Sequence, residues 1–381
     1  MSTDNRYLNE VFRIVSGALR LDIEKVRNYT SFLADNLEKG GDAASANRLR
    51  KLLSDSDRQL RPAGVSMGAV APVDPESRFP LVEKVDVKGV FEPPLLLTQS
   101  ETDLIAEFLS VSKSLGQLEA QGVPASLAML LYGPPGCGKN RIARFVAKEL
   151  GIPLYIARLD GLISSFLGST SKNIRAIFEF ASKTPCVLFL DEFDAIAKLR
   201  DDTQELGEIK RVVNSFLQNL DLLGTQSVVI AATNHAQLLD PAVWRRFSYR
   251  VELSYPDAEI RARMWASFLA PVTWPDRYIA LLADLSEGFS GADLQEVCSR
   301  LKRKKIAANI EPTLKDAFSA LQQLAAGEGH QDRFMAQFRG LDSGAVAIKL
   351  RKRNQKLYSH SNIALLLGVS KTSAYRWGLG D

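Results

Sequence analysis

The sequence predicts an α/β protein in which a parallel sheet carries helices on both faces, with all-helical segments before and after it. Three observations predict this. From Ala128 to Tyr255, short apolar runs alternate with amphipathic stretches, the pattern of a sheet buried on both sides. A glycine-rich turn joins the first of those runs to the first of those stretches. After Tyr255-Pro256 the strand-like runs stop, and residues 257–345 read as helix throughout.

Taken in order, residues 1–60 read as a small helical bundle. Leu8, Val11, Phe12, Val15 and Leu19 recur at helical spacing, and so do Ile23, Val26, Tyr29, Leu33 and Leu37. Gly40-Gly41 breaks the second helix, and Ala43 to Leu53 supply a third. Residues 61–90 read as a linker, because Pro62, Gly64, Gly68, Pro72, Pro75 and Pro80 punctuate them. Residues 91–255 form the α/β segment. It opens with a helix over 101–120 and carries strands at Met129–Tyr132, Leu154–Ala157, Val187–Leu190, Val228–Ala232 and Tyr249–Leu253. Residues 256–325 form a helical subdomain, and residues 326–381 a basic helical tail.

Composition excludes several classes. The chain has 381 residues, 46% apolar and 24% charged, which suits an ordinary globular protein with a large core. Its three cysteines, Cys137, Cys186 and Cys298, lie far apart. They form neither a disulfide framework nor paired zinc ligands, and they fit a reducing, cytoplasmic setting. The three histidines include no H-E-x-x-H, which excludes a zinc protease of that type. Met1 to Glu10 is too polar for a signal core. No apolar run approaches the roughly 18 residues that a membrane helix needs. Charge is uneven. From Val346 onward, Lys349, Arg351, Lys352, Arg353, Lys356, Lys371 and Arg376 face only Asp381, so this end carries +6 of a net +4 and the rest carries −2. Solvated helix faces explain such a cluster; so does an acidic or nucleic-acid partner.

Gly133-Pro134-Pro135-Gly136-Cys137-Gly138-Lys139 follows the run Met129–Tyr132 and precedes the amphipathic stretch Arg141–Leu150. A G-x-x-x-x-G-K between strand and helix is a phosphate-binding loop. The glycines let backbone N–H groups turn inward around phosphate oxygens, and the helix N-terminus adds positive potential. Lys139 reaches the β- and γ-phosphates. Asn140 stands where a hydroxyl residue ordinarily ligates Mg²⁺. Its amide oxygen is also a hard donor, on a longer arm, so metal affinity and rate are open while nucleotide binding should survive. Val187–Leu190 ends in Asp191-Glu192. At a strand end both acids can reach the carboxyl edge of the sheet, Asp191 to hold Mg²⁺ and Glu192 to polarise an attacking water. Val228–Thr233 is a further apolar run with a polar tip at Asn234.

These motifs occur in a fixed order: G-P-P-G-x-G-K, L-D-E-x-D, A-T-N, L-D-P-A at Leu239–Ala242, R-R-F at Arg245–Phe247, and Gly288-Phe289-Ser290-Gly291-Ala292-Asp293-Leu294. Together they resemble the AAA subgroup of AAA+ ATPases, ring-forming protein remodellers, over about residues 125–310. The resemblance implies ATP and Mg²⁺ as cofactors and a homo-oligomeric ring, a hexamer. It implies that Asn234 orients the attacking water with Glu192, and that Arg245 and Arg246 are arginine fingers acting on a neighbouring subunit. It places Gly291 and Ala292 where other branches carry a lid arginine, so no such arginine is expected there. The nucleotide-binding set becomes residues 133 to 141, Arg141 included, with Gly291 and Ala292.

Ser164–Thr170 resembles the first pore loop of the family, with Phe166 as the aromatic residue and Leu167 after it as the grip on a substrate chain. Arg200–Leu206 lies where a second pore loop would. Ser361–Trp377 resembles a helix-turn-helix: Ile363, Ala364 and Leu367 would pack, Gly368-Val369-Ser370 would turn, and Lys371, Thr372, Ser373, Tyr375 and Arg376 suit phosphate or base contacts. A helical cap or protein-docking hairpin is the other reading. The whole layout is similar to the ATPase half of bacterial two-gene modules whose companion is a subtilisin-like protease, modules associated with antiviral defence. Three functions follow: an ATPase that remodels a protein or feeds a separate protease, a DNA-binding loader that uses residues 346–381, and a slow nucleotide-gated switch.

Overall fold

The apolar spacing of the first residues is realised as three helices, α1 (Leu8–Leu19), α2 (Ile23–Lys39) and α3 (Ala43–Asp57). The computed structural model describes residues 7–19, 22–57, 71–74, 78–87, 93–123, 125–158, 167–195, 206–223, 227–326 and 333–379. Asp22 caps α2 by accepting the Lys25 N–H at 3.0 Å. Arg50 of α3 pairs with Asp35 and Glu38 of α2, each at 2.7 Å. These pairs are exposed and fix geometry more than they stabilise.

The chain divides into two compact units. One comprises Met1–Val90, Ser100–Gly133 and Lys139–Glu252. The other comprises Phe91–Gln99, Pro134–Gly138 and Leu253–Asp381.

In the first unit six strands form one sheet: β1 (Glu83–Val85), β2 (Ala128–Tyr132), β3 (Leu154–Arg158), β4 (Val187–Asp191), β5 (Val228–Thr233) and β6 (Tyr249–Glu252), in the order β1-β3-β4-β5-β2-β6. Strands β2 to β6 run parallel; β1 pairs antiparallel with β3, Lys84 opposite Tyr155. Strand β1 lies within the stretch that the sequence gives to a linker. Its three residues, E-K-V, have no alternation of their own and become a strand only by pairing with β3. The unit's other helices are α4 (Gln99–Lys113), α5 (Leu115–Ala120), α6 (Lys139–Leu150), α7 (Leu167–Lys183), α8 (Leu206–Leu223) and the single turn α9 (Pro241–Trp244).

Strands β2, β4 and β5 are apolar and buried along nearly their whole length, as a sheet covered on both faces requires. On one face Phe193 packs against Phe216 at 4.8 Å and Phe247 at 6.1 Å, ring centre to ring centre, and Phe178 against Phe216 at 5.5 Å. Each fully buried side chain of this size contributes about 1.5–3 kcal/mol of transfer free energy. The helical head is tied to the sheet unit by amides. Asn9 donates to the Lys113 carbonyl at 3.1 Å and accepts from the Gly116 N–H at 2.9 Å, and Asn28 donates to the Lys183 carbonyl at 3.0 Å. A hollow of about 540 Å³ lies where α1 and α2 face the amino ends of the strands, lined by Glu10, Tyr29, Phe32, Ile152, Cys186 and Val228, among others.

The second unit is helical: α10 (Ala258–Leu269), α11 (Asp276–Leu285), α12 (Gly291–Ala308), α13 (Leu314–Ala325), a 3-10 turn at Phe334–Phe338, α14 (Ser343–Arg353), α15 (His360–Leu367) and α16 (Lys371–Leu379). Ser290 with Asp293 and Thr313 with Asp316 form reciprocal caps on α12 and α13. Sequence reading separates a lid from a tail at about residue 325, whereas one apolar core runs through both. Val346, Ala347, Leu350, Tyr358, Ile363 and Leu366 are buried in the same cluster as Trp265, Phe268, Leu282, Phe289 and Leu321. The turn geometry anticipated at Gly368 is present, with φ 68 between α15 and α16. Among the described residues no helix is long and apolar enough to cross a membrane.

Candidate nucleotide site

Strands β4, β5 and β2 are adjacent and parallel, so their carboxyl ends share one edge of the sheet. The register is explicit: Tyr132 lies opposite Thr233, and Leu190 opposite Ala231. The Phe193 N–H donates to the Ala232 carbonyl at 2.8 Å and locks the β4 tip to β5. This edge brings Gly133, Asp191, Glu192 and Asn234 together, and α6 begins there with Lys139 and Asn140.

The glycine loop has the backbone that its composition suggests. Gly133, Gly136 and Gly138 have φ of 133, 79 and 104. At Gly138 a side chain would meet open space, so only the backbone conformation forbids it. At Gly136 both conformation and space forbid it, because a Cβ would come within 2.4 Å of Ser290 Oγ. The Ala292 N–H, in the first turn of α12, donates to the Gly136 carbonyl at 3.1 Å. Pro134, Cys137 and Arg141 are partly buried and Pro135 is exposed. Gly291 and Ala292 open α12.

Lys139 is buried, and its Nζ donates to the Gly133 carbonyl at 2.7 Å, folding the ammonium back over its own loop. Asn140 is exposed and donates through Nδ2 to Asp191 Oδ2 at 3.1 Å. The other Asp191 oxygen accepts the Glu192 N–H at 3.0 Å. Glu192 has φ 51, a left-handed conformation costly for a residue with a Cβ, and strain of this kind clusters at functional sites. Asn234 is exposed beside Thr233, whose hydroxyl donates to Asp194 Oδ1 at 3.2 Å and accepts the His235 N–H at 3.0 Å. Thr233 and Asp194 thus brace the two strand tips. They went unassigned in the sequence although they sit inside A-T-N and L-D-E-x-D, the motifs that could have found them.

Arg245 is exposed and lines a surface hollow with Trp244 and Tyr132, whose rings meet edge to face at 5.0 Å. Burial, and then the charge of Glu252, hold the Tyr132 phenol above its ordinary pKa. Arg246 is also exposed and pairs with Asp221 at 2.9 Å. Phe166 and residues 200–205 lie outside the described residues. Leu167 opens α7 and Leu206 opens α8.

The donor set fits ATP with a hard dication. Mg²⁺ takes few protein ligands and keeps water and phosphate oxygens, and the edge offers the Asp191 carboxylate with the Asn140 amide beside it. Among the described residues no group of three His, Cys, Asp or Glu side chains could hold a metal by itself.

Residues 129–255 match the family described as AAA, ATPase family associated with various cellular activities. Over 314 residues the chain is 35% identical to an uncharacterized AAA family ATPase, y4kL, of Sinorhizobium fredii, covering 81% of this chain and 93% of that protein. The chain belongs to the AAA ATPase family. This AAA ATPase is also 32% identical over 281 residues to the ATP-dependent zinc metalloprotease FtsH 3 of Sphaerobacter thermophilus, covering 72% of this chain and 55% of that one. To the human ATPase family gene 2 protein homolog A it is 35% identical over 233 residues, 54% of this chain and 26% of that one. It therefore spans only about half and a quarter of those two relatives. Among solved structures it resembles the FIGL-1 AAA domain, with a TM-score of 0.52 and 25% identity over 65% of this chain and 86% of that one. The same domain in complex with ADP matches in fold, with a TM-score of 0.52 and 24% identity over 69% of this chain and 94% of that one.

Proposed function

We propose that this AAA ATPase forms a ring, a hexamer, that hydrolyses ATP with Mg²⁺ at the β4-β5-β2 edge and uses the cycle to remodel a protein partner. The observation that carries this is the 3.1 Å hydrogen bond from Asn140 to Asp191, which joins the first turn of α6 to the tip of β4. It puts the two side chains within reach of each other; with Mg²⁺ bound, this bond would open and the Asn140 amide oxygen would hold the cation together with Asp191. Bound there, the cation would neutralise charge on the phosphate oxygens. Lys139 swings from the Gly133 carbonyl to the β- and γ-phosphates. Glu192 takes up the proton side of the attacking water, and Asn234 orients that water from the neighbouring strand. Arg246 already has Asp221 as its partner, so Arg245 is the better finger toward the next subunit. Residues 133–141 form the nucleotide cradle.

The remodelling half rests on Phe166 and Leu167 as the grip on a substrate chain. A separate subtilisin-like protease, and with it a role in antiviral defence, is the partner that the overall layout favours. One observation supports a DNA reading as well: Lys371, Thr372, Tyr375 and Arg376 are exposed on the second helix of the α15–α16 turn.

The test uses Glu192→Gln in the full chain, which should bind ATP without turning it over. With ATP it should run at the mass of a hexamer and capture a protein. A chain that stays monomeric with ATP at every concentration tried would refute the ring. Salt-dependent capture of DNA, lost on deleting residues 346–381, would favour the loader. Asn140→Thr tests the metal assignment. It should raise the Mg²⁺-supported rate about tenfold, a barrier change of about 1.4 kcal/mol, and lower the ratio of Mn²⁺- to Mg²⁺-supported activity.

A further inference from the structure

We infer that Arg333 is a positioning residue for the nucleotide loop: it fixes the first turn of α12, and that turn holds Gly136. The inference rests on reading residues 133–141 as the nucleotide cradle.

Arg333 is only 5% exposed. Its guanidinium lies over the ring of Phe289, 4.4 Å from the centroid, and its Nη2 donates to Asp293 Oδ2 at 2.8 Å. The other terminal nitrogen, Nη1, is buried and has no hydrogen-bond partner among the described residues. A cation taken out of water with one carboxylate and one ring is expensive for stability alone. Such an arrangement is more readily explained by the geometry that it imposes.

That geometry converges on one oxygen. Asp293 Oδ2 accepts from Arg333, from the Ser290 N–H at 2.9 Å and from Ser290 Oγ at 2.7 Å. The Asp293 N–H returns a bond to Ser290 Oγ at 3.3 Å. Arg333 therefore pins the acidic member of the α12 cap. The capped turn then meets the loop. The Ala292 N–H donates to the Gly136 carbonyl at 3.1 Å, and Ser290 Oγ occupies the space that a Gly136 side chain would need. The chain of contacts runs from Arg333 through Asp293 and Ser290–Ala292 to Gly136, all within one unit. Since the first turn of α12, Gly291-Ala292-Asp293-Leu294, contains no arginine, a cation 40 residues from Asp293 in sequence steadies this turn from behind.

Arg353 is the natural control. It too anchors the 333–338 segment, stacking over Phe334 at 3.9 Å and pairing with Asp284 at 2.7 Å and with Glu287. Those acids belong to the end of α11 and the turn after it, not to the α12 cap. Loss of Arg353 should loosen the segment; loss of Arg333 should loosen the segment and the loop.

The experiment measures melting temperature, the affinity of a fluorescent ADP analogue, and KM and kcat for ATP, all on the full chain. Arg333→Ala should weaken nucleotide affinity and raise KM about tenfold, with kcat changed by less than about threefold, because the cradle rather than the reacting atoms is disturbed. Arg333→Lys keeps the charge and should recover part of that loss. Arg353→Ala should lower the melting temperature by at least as much and leave affinity unchanged. If both alanine variants lose affinity in proportion to stability, Arg333 is a structural residue and the inference falls. Unchanged affinity in Arg333→Ala also overturns it. Should Arg333→Ala fail to fold, Arg333→Lys and Arg333→Gln decide by the same comparison. Lys139→Ala separates the two readings. If that variant binds the analogue as the wild type does, the cradle assignment itself is wrong; if it loses binding while Arg333→Ala keeps it, only the present inference fails.

Discussion

The two ends of the chain are both helical and look alike in sequence, yet they use their apolar residues in opposite ways. At the C-terminal end Val346, Leu350, Tyr358, Ile363 and Leu366 disappear into the core that Trp265, Phe289 and Leu321 share. At the N-terminal end Leu8, Val11, Phe12, Val15 and Leu19 stay exposed along α1, with Leu19 82% exposed. The difference is one of burial. The tail shares one apolar core with the helices before it. The head keeps apolar side chains outward, the kind of surface that suits a contact.

The largest expected effect breaks the tail side of this comparison. Leu350 is fully buried. Leu350→Ala should cost about 2–5 kcal/mol, the range for a leucine truncated in a core. Melting of the full chain should show it as a lowered or split transition. If the tail were an appendage, the same change would be nearly silent. Next comes Tyr358→Phe. The hydroxyl donates to Asp284, which Arg353 also holds. Burial, and then Asp284, push the phenol well above its ordinary pKa. Removing one donor from a doubly held carboxylate should cost about 1–2 kcal/mol, read in the same melt.

How much of this was legible follows from where the information lies. Strands β2, β4 and β5 are buried on both faces, so they read as unbroken apolar runs. Residues 133–140 and 191–192 carry their motifs within single short segments, so their meeting at one edge of the sheet is legible too. β1 was not, because E-K-V is a strand only through its pairing with β3. Neither was the bond from Arg333 to Asp293: nothing local at Arg333 specifies a partner 40 residues away. The merging of lid and tail was hidden for the same reason. Helical periodicity says that a face is buried, not against what.

A smaller effect sharpens the head side. Glu10 faces the hollow between α1, α2 and the strand ends. Its Oε1 accepts from Asn36 at 3.1 Å, while Oε2 is buried without a hydrogen-bond partner among the described residues. Burial raises its pKa, and the Asn36 bond and Arg13 only partly oppose this. The folded state therefore holds the Glu10 proton more tightly than the unfolded chain does. Its contribution to stability is present at acid pH and is lost as pH rises from the ordinary carboxyl value of 4.5 through the raised one. Glu10→Gln removes that loss. It should raise the melting temperature at pH 7 relative to wild type and change it little at pH 4. An equal change at both pH values would show that Glu10 is not desolvated in the fold.

The smallest expected effect on stability is the one most informative about function. Val15 and Leu19 are 47% and 82% exposed. Exposed side chains add little to a core, so Val15→Ser and Leu19→Ser should each shift stability by no more than about 0.5 kcal/mol. Melting should barely register them, in contrast to Leu350→Ala. If the apolar face of α1 recruits the protein partner, the same two changes on a Glu192→Gln background should sharply reduce capture of that partner, while ATP binding and ring mass stay as they were. Buried apolar area is what such a contact would lose, and about 25 cal/mol per Å² over two side chains is enough for a change of tenfold or more in affinity. A fall of several degrees in melting temperature would put these residues in a core instead. Unchanged capture would remove the head from partner choice, and the exposed helix α16, with Lys371 and Arg376, would be the next face to test.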